Sequence, residues 1–214
     1  MKTRTCFALF VAVVAVASMG SGLSYQYYKG NARLQQGDFK GAVDALTKAI
    51  ANDPSNFGAF LNRGLAYDKL NEYDKALADY DSAIAIVPAF GRAFHNRGHV
   101  HSKLKQHEQA VADYDEALKH AGNVVIEAQG QIVAVDKGAV YYDRGNALYE
   151  LKKFDESVAS FTSAIELDGK FAAAYNNRGV VHFEAGDKTA ACADRSKACE
   201  LGYAPSCKWT KDNC

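Results

Sequence analysis

Small residues return along this chain on a fixed beat. Gly30, Gly64, Gly98, Gly145 and Gly179 stand 34, 34, 47 and 34 residues apart. Ala49, Ala83, Ala117, Ala164 and Ala198 keep that spacing, as do Ala42, Ala76, Ala110, Ser157 and Ala191. Phe60, Phe94, Tyr141 and Tyr175 each precede one of the glycines, with Gln26 as the exception. A further series, Leu46, Tyr80, Tyr114 and Phe161, ends on Arg195. Helix breakers at Pro54, Pro88, Gly122 and Gly169 close successive units. A constant period predicts stacked units that bury apolar surface only against their neighbours, which is a solenoid.

The first twenty residues follow another rule. Lys2 and Arg4 precede an uncharged run from Phe7 to Met19, and Gly20, Ser21 and Gly22 come after it. A basic start, a short apolar run and small residues predict a secretory signal peptide over residues 1–20. Ala15-Val16-Ala17 is the favoured cleavage triplet and Ser18-Met19-Gly20 the alternative. An uncleaved N-terminal anchor is the competing reading, although a span calls for about 20 apolar residues. The expected location is secreted or periplasmic; the alternative is membrane-anchored, with the repeats outside the cytoplasm.

On these residues the chain resembles the tetratricopeptide repeat, a helix–turn–helix unit. The resemblance implies an all-α fold: a right-handed α-solenoid of about five units with a short C-terminal capping helix. Units one to three occupy residues 23–124, an insert 125–137, units four and five 138–205, and the cap 206–214. Glycine and alanine are expected where two helices cross closely, with the aromatics filling the gaps beside them. Asn62-Arg63-Gly64 returns as Asn96-Arg97-Gly98, Asp143-Arg144-Gly145 and Asn177-Arg178-Gly179. Asp79, Asp113 and Asp194 follow their arginines by 16 residues, while Arg144 meets Ser160 there. Ion pairs within a unit, or to the next unit, are the expected use of these groups.

Formal charge is zero over the whole chain and −2 once Lys2 and Arg4 leave with the leader. That balance argues against nucleic acid or anionic membrane as the main partner. Cys192, Cys199, Cys207 and Cys214 cluster at the C-terminus, and an even cluster behind a leader predicts disulfides. Cys199 and Cys207 lie eight residues apart across a turn predicted by Gly202 and Pro205. Cys192 and Cys214 stand seven residues further out on either side. Seven residues is about two helical turns, so antiparallel helices would join Cys199 to Cys207 and Cys192 to Cys214. The string Ala198-Cys199-Glu200-Leu201-Gly202, with Cys207 following, also resembles secreted cysteine-rich Sel-like repeats, in which the same spacing carries a bridge. A zinc site is the rival reading, but paired C-x-x-C spacing is absent.

Unit three holds His95, His99, His101 and His107. His95 and His99, at i and i+4, have the spacing of two metal ligands, with Asp68 or Asp143 as a potential third. Solvated groove histidines are the preferred reading, so no metal or cofactor is expected.

The tetratricopeptide resemblance implies a concave channel, lined by the first helix of each unit, that holds extended or helical peptides. Its register places Tyr27, Asn31, Leu61, Asn62 and Leu65 on that wall. Arg92, His95, Asn96 and His99 follow, then Tyr142, Asn146 and Tyr149, then Asn176, Val180 and Phe183. Tyrosines interleaved with amides suit a peptide backbone. One subset of the family grips a C-terminal carboxylate with two asparagines and three basic residues. Asn31, Asn62 and Arg92 fall on three of those positions, whereas Tyr27 and Asn96 replace the other bases. The insert, with Val124-Val125-Ile126-Glu127-Ala128, then Gln129-Gly130-Gln131, then Ile132-Val133-Ala134-Val135, fits a small hairpin or an extended helix equally well. No catalytic nucleophile–base pair is recognisable. The expected function is a non-enzymatic scaffold of the cell envelope that binds a protein or peptide segment. A peptidoglycan- or small-ligand-binding protein, acting as a weak enzyme or metal binder, is the alternative. A purely structural spacer is the third.

Overall fold

A computed structural model describes residues 14–15, 23–122, 125–126 and 132–214. Eleven helices occupy those residues. The first three pairs are α1 (Leu23–Gln35) with α2 (Phe39–Asn52), α3 (Phe57–Lys69) with α4 (Tyr73–Ile86), and α5 (Gly91–Lys103) with α6 (His107–Lys119). After the insert come α7 (Lys137–Glu150) with α8 (Phe154–Leu167), α9 (Ala172–Glu184) with α10 (Lys188–Glu200), and α11 (Ala204–Asn213). Each helix packs mainly on those before and after it in sequence, so the fold is an all-α solenoid. Among the described residues no helix is long and apolar enough to cross a membrane.

Side chains written into the repeat set the ends of these helices. Asp38, Asn56, Asp136 and Asp187 each accept a hydrogen bond from a backbone N–H in the first turn of the helix that follows. The turn inside each pair needs one residue in the left-handed region: Gly37, Asn71, Lys105, Lys152 and Gly186 take it in turn.

Packing within a pair explains the glycine beat. A Cβ on Gly64 would sit 2.8 Å from the Tyr80 ring, and one on Gly98 or Gly145 equally close to Tyr114 or Phe161. The absent side chain is the space the aromatic occupies, which leaves Tyr80, Tyr114 and Phe161 each about 1% exposed. In the last pair Gly179 faces the Arg195 stem, and Trp209 of α11 covers the guanidinium at 4.2 Å from the ring centroid. Arg195 stands where the earlier units have Leu46, Tyr80, Tyr114 and Phe161, and the capping helix partly covers it. Its Nε is buried without a partner, and this burial lowers the guanidinium pKa.

Three two-residue strands form a small sheet. Val125–Ile126 (β2) pairs antiparallel with Ile132–Val133 (β3) and parallel with Val14–Ala15 (β1). The described residues 125–126 and 132–133 of the insert therefore pair as strands rather than extending a helix. Val135, just after them, packs with Phe94, Tyr114 and Val140 and so gains cover from units three and four. Apart from Val14–Ala15, the signal-peptide residues 1–20 and the cleavage triplets lie outside the described residues.

Candidate binding groove

The first helices α1, α3, α5, α7 and α9 stand side by side, and their side chains form cross-links from one unit to the next. Two of these rungs are near copies. Asn62 donates through Nδ2 to Asn31 Oδ1 at 2.8 Å and to the Tyr27 hydroxyl at 3.3 Å. Asn177 donates in the same way to Asn146 Oδ1 at 2.8 Å and to the Tyr142 hydroxyl at 3.0 Å. The amides thus bond first to one another. What they leave for a ligand are the NH2 groups of Asn31 and Asn146, which have no partner among the described residues.

Charge replaces amides in the middle rungs. Lys103 grips the buried Asp68 carboxylate with contacts of 2.8 and 2.9 Å, and His99 Nδ1 lies 4.0 Å from it. His95 Nε2 donates to Asp143 at 2.8 Å. Desolvation, followed by the Lys103 charge, pushes the His99 pKa down. The four histidines do not converge. His101 turns toward Gln106 and Asp113, and His107 sits at the start of α6. Among the described residues no group of three or more His, Cys, Asp or Glu side chains is placed to hold a metal.

Several residues expected on the groove wall lie behind it. Tyr27, Leu61 and Asn176 are only 5%, 2% and 9% exposed. Tyr27 and Leu61 belong to the packing between units. Asn176 donates to Asn177 Oδ1 and accepts from Ser206 of α11, so the cap takes up this amide. Phe183 remains accessible, with its ring edge-on to Trp209. Asn31, Asn62, Leu65, His95, Asn96, Tyr142, Asn146, Tyr149 and Val180 are half-buried, and Arg92 and His99 are exposed. For the carboxylate-gripping pattern, Asn31 and Asn62 come together while Arg92 stays at the surface.

The arginines form a separate ladder. Arg63, Arg97 and Arg178 each make two hydrogen bonds, 2.6–2.9 Å long, to Asp79, Asp113 and Asp194. A third nitrogen reaches back to Thr47, Asp81 or Thr162 of the preceding unit. Arg144 reaches Ser160 and Asp115. Sequence reasoning missed this backward contact. Thr47, Asp81, Asp115 and Thr162 keep the 34, 34 and 47 spacing, and that was the available signal.

Near the C-terminal end, α7 and α9 enclose a pocket of about 310 Å³ with the start of α6. At the end itself, Cys192–Cys214 and Cys199–Cys207 have sulfur atoms at bonding distance, 2.02 and 1.93 Å, and tie α11 to α10.

Known proteins resemble this arrangement. Tetratricopeptide repeat models match residues 27–89, 91–123 and 145–186, together more than half of the chain. Among curated proteins, Hsp70-Hsp90 organizing protein 2 of Arabidopsis thaliana is 49% identical over 51 residues, which is 24% of this chain and 9% of that protein. Hsp70-Hsp90 organizing protein 1 of Glycine max is 47% identical over 51 residues, with the same shares. The chain thus matches about a tenth of the length of these relatives. Among solved structures, MamA 41-end from Desulfovibrio magneticus RS-1 gives a TM-score of 0.75 at 18% identity, covering 87% of this chain and 98% of that one. YrrB, titled a TPR protein with an unusual peptide-binding site, gives 0.67 at 20% identity over 85% of this chain and 88% of its own. At such identities the likeness concerns the fold. The chain belongs to the tetratricopeptide repeat family.

Proposed function

We propose that this chain is an exported, non-enzymatic scaffold whose concave groove holds an extended segment of a partner protein in the cell envelope. One observation carries the reading. Two Tyr–Asn–Asn rungs in the same register each leave an asparagine NH2 unspent, at Asn31 and at Asn146. An extended peptide offers backbone carbonyls along its length, and fixed donors at both ends of the groove suit that repeated acceptor. The leader pattern supports export, and the clustered cysteines agree with an oxidising compartment. The peptide-binding site in YrrB's title and the organizing role in the relatives' names point in the same direction.

The test is crosslinking capture with the protein expressed from its full sequence, comparing wild type with Tyr142→Ala and Asn146→Ala. Loss of the same captured band in both variants is expected at a temperature where circular dichroism shows each still folded, although Tyr142→Ala should melt lower because its ring packs on Phe161 and Phe171. Equal capture by all three would remove the groove from the function and leave a structural spacer. Mass spectrometry of the exported product should find an N-terminus at Ser18 or, from the alternative triplet, at Ser21; an intact residue 1 would favour the anchored form.

A further inference from the structure

The 310 Å³ pocket at the C-terminal half of the groove has one sign of charge and one orphaned polar atom. Ala147, Phe161, Val180 and Val181 give it apolar walls. Among the described residues that line it, Glu150 is the only Asp or Glu, none is lysine or arginine, and the Glu150 carboxylate has no partner. His107 lines it too, and its Nδ1 is buried with no hydrogen-bond partner. Asn146, with its unspent NH2, stands at the same place.

We propose that this pocket takes a basic side chain, arginine or lysine, of the segment lying in the groove. The inference rests on the groove reading and adds the chemistry of the partner. A methylene stem fits the aliphatic walls, and the charged head meets Glu150. The Ser102 hydroxyl, hydrogen-bonded to that of Tyr114 at 3.1 Å, keeps a lone pair as a further acceptor. The Asn146 NH2 is then free for the adjoining backbone carbonyl. The groove margin agrees. At equivalent positions in the five units stand Gln35, Lys69, Lys103, Glu150 and Glu184, all exposed. Acid therefore occurs only over units four and five, and the corresponding place beside Asn31 is neutral.

A random dodecapeptide display library panned on the purified chain tests this, followed by titration of a synthetic selected peptide. Enriched peptides should share a lysine or arginine at one position. Glu150→Gln should weaken their binding about tenfold, as should replacing the base by norleucine. Glu150→Lys should abolish binding of the basic peptide and restore it when the base becomes glutamate. Glu150 is exposed, so each variant should melt with the wild type, which separates lost binding from lost fold. Peptides enriched without a shared base, or indifferent to Glu150→Gln, would overturn the pocket assignment and leave the groove reading standing. A library from which the wild type enriches nothing would overturn both.

Discussion

Arg97 uses its Nε and one terminal nitrogen on Asp113, and its other terminal nitrogen on Asp81 of the preceding helix pair. The planar fork joins three helices through one side chain, and lysine could not reproduce this. Asp113 is 5% exposed, so its loss leaves Arg97 half-buried with only the exposed Asp81 as counter-charge. Asp113→Ala should cost about 2 kcal/mol in a denaturant melt, less than a fully buried pair because water still reaches the guanidinium. An unchanged midpoint would remove the ladder from the stability of the fold. Unit four offers the converse test. Arg144 meets Ser160 where Arg63, Arg97 and Arg178 meet aspartate, so Ser160→Asp should raise the unfolding free energy by about 0.5–1 kcal/mol. His99 supplies the pH dependence at this scale. Its pKa lies below the ordinary value of about 6.5 in the folded chain, so the unfolded chain binds more protons just below that pH. Stability contributed at His99 is thus present at neutral pH and falls as the solution is acidified through that window. Melts from pH 7.5 to 5 should show a shallower acid loss in His99→Gln than in wild type.

Helix ends carry a different kind of strain. Lys105 and Lys152 have φ of 59° and 61°, in the turn where units one and five place glycine at 77° and 88°. An L-residue there pays a steric penalty that glycine avoids, so Lys105→Gly and Lys152→Gly should each stabilise by about 0.5–1 kcal/mol. Calorimetry should find higher midpoints for both; a fall in either would mean that the lysine makes contacts worth more than the strain. Such turns show which features a repeat sequence makes readable. Gly64 and Tyr80 are legible because each is the steric complement of the other and the pair recurs one period later. The Arg63–Asp79 pair is legible for the same reason. Asn62 is legible as a groove residue, but the register puts Asn176 rather than Asn177 on that wall, and the bonds of Asn62 and Asn177 to Asn31 and Asn146 depend on how neighbouring first helices stand. Asn176 departs further, because Ser206 of a non-repeated helix takes up its carbonyl. The β2–β3 hairpin has no periodic counterpart, so nothing in the pattern could choose between strand and helix there.

Across the whole molecule the two ends of the solenoid differ. At the C-terminal end α11 lies over the last pair, with Trp209 on Arg195 and Ser206 on Asn176, and two disulfides hold it there. At the N-terminal end Tyr25 is 61% exposed and Tyr28 43%. The positions equivalent to Tyr25 in the later units are Ala59, Ala93, Val140 and Ala174, all 0% exposed against the preceding unit. In a solenoid each unit borrows stability from its neighbours, so a unit with one open side opens first. Native-state hydrogen exchange should therefore find the lowest protection in α1 and the highest in α3 to α8. The α9 and α10 amides should stay close to the central values while the disulfides are intact. Reduction removes a constraint worth about 3 kcal/mol for the Cys192–Cys214 loop. It should release α11 and bring α9 and α10 down toward the level of α1, leaving the central helices unmoved. Protection falling equally in every helix on reduction would mean that the chain unfolds as one cooperative block, and the end-by-end account of its stability would have to be given up.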